Sequence, residues 1–226
     1  RSHGTCSRDW WSKMSEYFVP QKSIREYLAE NNLLGVHHLI RYKWAVAVLK
    51  DMQPKTLIDI ACGAGYGSKM IAQALPDSQI IGADYDLDAI NYARRAYQAP
   101  NLRFVLGDLM KWDLGDYDCI ISFDTLEHIP HREITLENIV NHCGFMLFST
   151  PCGAPEINFS PEWSVHKIEY NADSLYRFLR RYFKRVIHPE LNSFLHKRVF
   201  EGIPYLLKMN PLLCLDPSCG YGYRPL

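Results

Sequence analysis

The spacing of apolar residues changes character near residue 56. Before it, apolar positions recur at helical spacing in "SIREYLAE" and "HLIRYKWAVAVLK", with Gly35 between the two stretches. After it, short apolar runs alternate with amphipathic segments, starting with "TLIDI" and then "GSKMIAQAL". The early pattern predicts helices separated at Gly35, and the later pattern predicts alternating strands and helices.

The later strand segments lack a strict alternation of apolar and polar residues. Runs such as "YDCIISF" and "FMLFST" are typical of strands covered by helices on both faces. "DSLYRFLRRYF" predicts one more helix and "KRVIHPE" one more strand, whereas the tail "LLCLDPSCGYGYRPL" has no clear period and stays unassigned. We therefore expect an α/β fold with a mostly parallel sheet and helices on both faces.

This pattern divides the chain into two regions. Residues 1–50 are expected to form an N-terminal helical cover, and residues 51–226 the core. Within the core, residues 152–169 contain prolines and show little periodicity, which predicts a long substrate loop.

Composition narrows the possible partners. The 226 residues are enough for a substantial core, and 25 basic and 25 acidic residues give a formal net charge of zero. We therefore expect no nucleic-acid partner, and no membrane insertion either, because no apolar run reaches the roughly 18 residues that span a bilayer. Seven cysteines, an odd number without a CxxC pair, indicate neither a disulfide framework nor a zinc site, and no metal ligands are expected. We expect Cys62, Cys119 and Cys143 to be buried reduced thiols and the location to be cytoplasmic.

A glycine-rich segment, "DIACGAGYGS", follows the first predicted strand. Its glycines, Gly63, Gly65 and Gly67, fall in a strand–helix turn, where an α/β sheet opens its ligand crevice. Glycine there permits unusual backbone angles and the close approach of a ligand. Tight turns use glycine too, so this spacing alone is weak evidence.

Three acidic residues near strand ends make the segment more informative. Asp84 ends the second strand, roughly 20 residues after the loop, where an acid accepts hydrogen bonds from ribose hydroxyls. Asp108 follows the third strand, where it can meet an adenine amino group. Asp59 precedes the glycines, where it would repel a pyrophosphate and attract an ammonium. An adenosyl ligand that has an amino-acid cation and lacks phosphate is S-adenosylmethionine.

Four motifs resemble, in order and spacing, those of class I S-adenosylmethionine-dependent methyltransferases: "LIDIACGAGYGS", "IIGADYD", "LRFVLGD" and "YDCIISFDTLEHI". The likeness implies a Rossmann-like sheet of seven strands, the last one antiparallel. A narrower resemblance, carried by "HLIRYKWA", "STPCG" and "HKIEYNADSLYRFLRRYF", is to a bacterial subgroup associated with polysaccharide and glycan biosynthesis. The chain departs from that subgroup at Ala64, commonly acidic, and at Cys152, commonly asparagine.

The resemblance implies that ten residues contact the cofactor: Arg41, Asp59, Ala61, Gly63, Gly65, Asp84, Tyr85, Asp108, Leu109 and Phe123. It assigns the ribose to Asp84 and the adenine to Tyr85 and Asp108, with a backbone donor from Leu109. It assigns the ammonium to Asp59, directly or through water, and the carboxylate to Arg41. The alternative for each acid is a solvated strand end, and for Arg41 an ordinary surface cation.

The triplet Glu127-His128-Ile129 follows the fourth strand, on the expected substrate side. His128 is a candidate general base for an alcohol, since its ordinary pKa is about 6.5. Alternatively it only shapes the pocket wall, because a sulfonium is a good leaving group and positioning supplies most of the acceleration. His166, in the substrate loop, is a second candidate.

These features predict methyl transfer from S-adenosylmethionine to a small molecule, in the first place an oxygen of a sugar or glycan precursor, with S-adenosylhomocysteine as product. An NAD-dependent oxidoreductase shares the glycine loop and the ribose acid, although Ser68 stands where its third glycine belongs. A non-catalytic S-adenosylmethionine-binding module is also compatible with the motifs. An RNA or protein acceptor is less favoured, because no "NPPY"-type motif follows the fourth strand.

Overall fold

A seven-stranded sheet forms the centre of the protein. The computed structural model describes residues 18–111, 114–152, 157, 159, 166–187 and 212–218. The strands are β1 (Thr56–Ile60), β2 (Gln79–Asp84), β3 (Leu102–Leu106), β4 (Tyr117–Phe123), β5 (Cys143–Ser149), β6 (Phe183–Ile187) and β7 (Leu212–Pro217). Their order is β3-β2-β1-β4-β5-β7-β6, and β7 runs antiparallel to both of its neighbours, whereas β1 to β5 are parallel. The predicted mostly parallel sheet with an antiparallel last strand is confirmed.

Helices cover both faces of this sheet. They are α1 (Ile24–Ala29), α2 (Leu33–Met52), α3 (Tyr66–Ala74), α4 (Leu87–Ala96), α5 (Arg132–Asn141) and α6 (Ala172–Leu179). One apolar cluster joins α2 and α3 to the sheet through buried side chains such as Trp44 and Ile71. Another joins α5 and α6 to it through side chains such as Leu136 and Leu175. The continuous apolar runs of the central strands follow from this burial on both faces.

The break between the first two helices does not lie at Gly35, so that prediction was wrong. Asn31 adopts a left-handed φ of 54°, and the Asn32 side chain caps α2 by accepting from the Gly35 N–H at 3.1 Å. Gly35 lies in the first turn of α2, where an added Cβ would stand 2.7 Å from the Tyr27 ring. The glycine therefore permits close packing of α1 on α2, and the asparagines separate the helices.

The unassigned tail supplies β7, the strand between β5 and β6. Its buried residues, Leu212 and Cys214, alternate with partly exposed ones.

Cys62, Cys119 and Cys143 are buried free thiols, as predicted. Among the described helices, none is both long enough and apolar enough to cross a membrane. The first 17 residues of the predicted cover, and most of the predicted substrate loop from 153 to 165, lie outside the described residues.

Candidate active site

The glycine-rich turn between β1 and α3 is built from left-handed backbone. Ala61, Gly63 and Gly65 have φ of 54°, 53° and 83°. The Cys62 N–H donates to the Ala83 carbonyl at 3.0 Å, and the Gly65 N–H donates to the Cys62 carbonyl at 3.0 Å. A left-handed alanine costs about 1 kcal/mol and is uncommon. The turn therefore holds a tight path at the carboxyl ends of β1 and β2, where parallel sheets bind ligands.

Gly65 in this turn and Gly67 at the start of α3 leave space for neighbouring aromatic rings. A Cβ on Gly65 would stand 2.6 Å from the Phe104 ring of β3. A Cβ on Gly67 would stand 2.0 Å from the Tyr42 ring of α2. The predicted cover helix α2 thus packs directly on the start of α3, and Gly67 is required for that contact.

The Asp59 carboxylate lies under this contact and is 1% exposed. The Tyr42 hydroxyl is 3.1 Å from each carboxylate oxygen, and the Ser68 hydroxyl donates to Oδ2 at 2.7 Å. Burial raises the pKa of Asp59 from 3.8 to about 7, although both hydrogen bonds act against that rise. Near neutral pH, Asp59 is therefore close to an equal mixture of its protonated and ionised forms, and a nearby cation would favour the ionised form.

Asp84 ties the end of β2 to the glycine turn. Its Oδ2 accepts from the Gly63 N–H at 2.8 Å, and its Oδ1 accepts from the Asp86 N–H at 2.9 Å. The residue is 7% exposed, and burial raises the pKa of its carboxyl. The predicted ribose acid and the predicted glycine turn therefore meet at one point of the sheet edge.

Apolar side chains are exposed at the ends of β2 and β3, near Asp108 in the sequence. Tyr85 is 75% exposed and Leu106 is 53% exposed, while Leu109 is partly buried. The Asp108 Oδ1 accepts from the Met110 N–H at 2.9 Å. A planar apolar ring with an amino group would cover this surface and meet a carboxylate at its edge.

Arg41 is buried, contrary to its alternative interpretation as a surface cation. It is 2% exposed on α2, forms an ion pair with Asp124, and places Nη2 2.9 Å from His38 Nδ1. Asp124 follows β4 in the left-handed region, at φ 48°, and its N–H donates to the Ser149 carbonyl at 2.9 Å. Sequence reasoning missed Asp124, although its place directly after a strand matches those of the other acids.

Phe123, at the end of β4, lies within the cluster under α2. It is 6% exposed, and its ring meets Tyr42 edge-on with 5.2 Å between centroids. It also packs near Trp44 at 6.2 Å. Its role beside the methionyl chain stays a prediction.

The two candidate catalytic histidines lie side by side. The short 3₁₀ turn Leu126–His128 follows β4, and the Lys167 N–H donates to the Glu127 carbonyl at 2.6 Å. This bond brings His166 beside His128, with ring centroids 4.9 Å apart and planes at 80°. Glu127 is 1% exposed, and burial raises the pKa of its carboxyl. Sequence reasoning missed Glu127 as a partner of both histidines, since only the fold brings residue 166 near residue 128.

The polar groups at the carboxyl edge of the sheet fit S-adenosylmethionine. Four carboxylates, Asp59, Asp84, Asp108 and Asp124, stand at or beside the ends of β1 to β4. Carboxylates accept hydrogen bonds from hydroxyl, amino and ammonium groups and repel phosphate. This acceptor set suits a ribose, an adenine and an amino-acid cation.

Comparisons with known proteins agree with this geometry. Residues 57–144 match the family model described as "Methyltransferase domain". The chain is 34% identical over 88 residues to putative methyltransferase 235L of Invertebrate iridescent virus 6, covering 38% of this chain and 32% of that one. It is 24% identical over 141 residues to the fatty-acid O-methyltransferase of Mycolicibacterium smegmatis, covering 60% of this chain and 50% of that one. The chain thus spans at most half the length of these curated relatives.

Among solved structures, the N-terminal domain of EvdMO1, crystallised in the presence of SAH and D-fucose, superposes with a TM-score of 0.56 at 16% identity. The match covers 66% of this chain and 75% of that one. This similarity shows that the two proteins share their fold.

Proposed function

We propose that the chain is a class I S-adenosylmethionine-dependent methyltransferase that transfers a methyl group to an oxygen of a small molecule. The observation that carries the proposal is the buried Asp84 carboxylate, bonded to the Gly63 N–H at the end of β2. An acid in this position accepts hydrogen bonds from a ribose. The carboxylates around it suit the rest of an adenosyl amino acid and would repel a pyrophosphate.

Each part of the cofactor has a partner at the sheet edge. Tyr85 offers an exposed ring and Asp108 a half-exposed carboxylate to the adenine. We assign the amino-acid end to Asp59 and Arg41, because a carboxylate attracts the ammonium and a guanidinium attracts the carboxylate. When bound, S-adenosylmethionine supplies a methyl group on a positively charged sulfur.

The acceptor binds beside His128 and His166. The His128 side chain is 34% exposed, so a molecule approaching from solvent reaches it. The acceptor oxygen gives up its proton, its lone pair forms the bond to the methyl carbon, and the electron pair of the broken C–S bond stays on sulfur. The histidine pair promotes loss of that proton, and S-adenosylhomocysteine leaves.

For the acceptor we propose a sugar or glycan precursor. The resemblance of "HLIRYKWA" and "HKIEYNADSLYRFLRRYF" to the glycan-associated subgroup supports this choice. The presence of D-fucose in crystals of the EvdMO1 domain is compatible with it. A carboxylic acid is the second candidate, favoured by the similarity to a fatty-acid O-methyltransferase.

Methyl-labelled S-adenosylmethionine and a panel of acceptors test the proposal. The panel holds monosaccharides, nucleotide sugars, fatty acids and short carboxylic acids, and transfer is followed as label in the product. We expect transfer to a sugar hydroxyl, lowered by His128→Ala and unchanged by His142→Ala, whose histidine pairs with Asp116 elsewhere. Transfer only to carboxylic acids would favour the second candidate. S-adenosylhomocysteine binding without any transfer would favour a non-catalytic module and overturn the catalytic proposal.

A further inference from the structure

Three metal-ligating side chains meet where β4 ends. A carboxylate oxygen of Glu127 and one ring nitrogen each of His128 and His166 lie within 4.8 Å of one another. No metal site is expected from the sequence alone. We propose that these three residues bind one divalent first-row transition-metal ion on the acceptor side of the active site, a proposal that rests on the methyl-transfer function above.

The fold holds the Glu127 carboxylate in place. Its Oε2 accepts from the Thr150 hydroxyl at 2.9 Å, and its Oε1 faces His128 Nε2 at 4.0 Å. The Lys167 N–H bond to the Glu127 carbonyl fixes the chain on which His166 stands. Glu169 Oε1 lies 3.6 Å from His166 Nδ1, so a small side-chain shift would let this carboxylate accept a hydrogen bond from the imidazole and orient it.

The Glu127 Oε1 atom is an independent sign that this cluster binds a cation. It is buried, and it has no hydrogen-bond partner among the residues that the structure describes. Leaving a buried carboxylate oxygen unpaired is costly. Arg41 acts on Glu127 electrostatically, but its Nη1 bonds to Asp124 and its Nη2 to His38, and no hydrogen bond joins it to Oε1. A metal ion between Oε1 and the two imidazoles would satisfy this oxygen.

The ligand set determines the class of metal. Imidazole nitrogens suit zinc, iron, cobalt and nickel, whereas magnesium and calcium prefer oxygen ligands only. Metal–ligand bonds of about 2.1 Å in a tetrahedral site place ligand atoms about 3.4 Å apart. Bringing ligand atoms that lie up to 4.8 Å apart to that spacing takes side-chain rotations that move each atom by roughly 1 Å. Two histidines and one glutamate leave a fourth position open, as in catalytic metal sites.

The open position gives the ion its function. The His128 side chain is 34% exposed, so an acceptor can reach an open position beside it from solvent. A bound cation there orients the acceptor oxygen and lowers the pKa of its hydroxyl. The two histidines would then promote loss of the acceptor proton as ligands of the ion rather than as general bases, and that proton would pass to water.

Cobalt(II) and zinc(II) titrations of the untagged, chelator-stripped chain test the proposal. We expect one equivalent of Co²⁺, with the visible absorption of a four-coordinate nitrogen–oxygen site, displaced by Zn²⁺ and not by Mg²⁺. His166→Ala, Glu127→Gln and His128→Ala should each weaken binding at least tenfold. His142→Ala is the matched control, because His142 Nδ1 also pairs with a carboxylate, Asp116 Oδ1 at 2.5 Å, and should leave binding unchanged.

Two outcomes overturn the metal site: no Co²⁺ or Zn²⁺ binding at micromolar protein, or equal binding by the three ligand variants and wild type. If substitution of the buried Glu127 or His166 prevents folding, His128→Ala still tests the site, because His128 is partly exposed. S-adenosylhomocysteine binding by the same stripped samples separates this inference from the proposed function. If the wild type binds cofactor and no metal, only the metal proposal is overturned. If the wild type does not bind cofactor, the proposed function is overturned.

Discussion

Replacing Asp59 by asparagine tests the electrostatics of the site, because the substitution removes a charge while keeping the shape of the side chain. The carboxylate is 1% exposed, and burial raises its pKa to about 7 from 3.8. Between about pH 4 and pH 7, the folded protein therefore retains a proton that the unfolded chain has already released. The stabilisation of the fold by this proton is complete below about pH 4 and is lost as the pH rises to about 7.

The size of the effect follows from the shift. A difference of roughly three pKa units corresponds to about 4 kcal/mol, since each unit is about 1.4 kcal/mol. Asparagine resembles the protonated acid and keeps an acceptor for Tyr42 and Ser68. Asp59→Asn should therefore leave stability unchanged at about pH 4 and raise it by up to about 4 kcal/mol at about pH 8. For a chain of this size that corresponds to about 8–16 °C in Tm.

Urea denaturation at about pH 4 and pH 8, with and without S-adenosylhomocysteine, measures both consequences. The ligand should stabilise wild type more than Asp59→Asn at pH 8, because only the ionised carboxylate attracts the ligand's ammonium. Ligand affinity of the variant should fall about tenfold. The reasoning is refuted if Asp59→Asn destabilises the ligand-free protein at pH 8, because the aspartate would then be ionised and well compensated.

Other substitutions test the packing around the site. Gly67→Ala places a methyl 2.0 Å from the Tyr42 ring and should cost about 1–3 kcal/mol in urea denaturation; an unchanged midpoint would contradict the close contact of α2 and α3. Arg41→Met leaves Asp124 without its cation and should cost about 3 kcal/mol. Adding Asp124→Asn to Arg41→Met should restore part of that stability, and a further loss in the double variant would argue against the ion pair.

Much of the fold follows from local pattern. The runs "TLIDI" and "LRFVL" coincide with β1 and β3, because an apolar run bounded by turn residues has few other ways to be buried. The tail was missed, because β7 pairs with β5, about 70 residues earlier, and local sequence does not encode that pairing. The prediction that Gly35 separates the helices was wrong, because a glycine that leaves space for a ring, here that of Tyr27, looks the same in sequence as one that ends a helix.

The site was predictable where chemistry follows a strand end. Asp59 and Asp84 stand where the motifs placed them, because parallel strands bring their carboxyl ends to one edge. The Glu127–His128–His166 cluster was not predicted as a unit, since the loop that returns His166 has no periodicity. The meeting depends on one backbone hydrogen bond, from the N–H of residue 167, and on the packing around it.

Calorimetric titration with S-adenosylhomocysteine, and separately with NAD, tests the central claim most directly. Wild type and the exposed control Asp88→Asn should bind S-adenosylhomocysteine equally and should not bind NAD. Asp84→Ala should weaken S-adenosylhomocysteine binding by about 100-fold, because the ribose hydroxyls lose a charged acceptor and the Gly63 N–H loses its partner. Binding of NAD without S-adenosylhomocysteine, or full affinity in Asp84→Ala, would contradict the account.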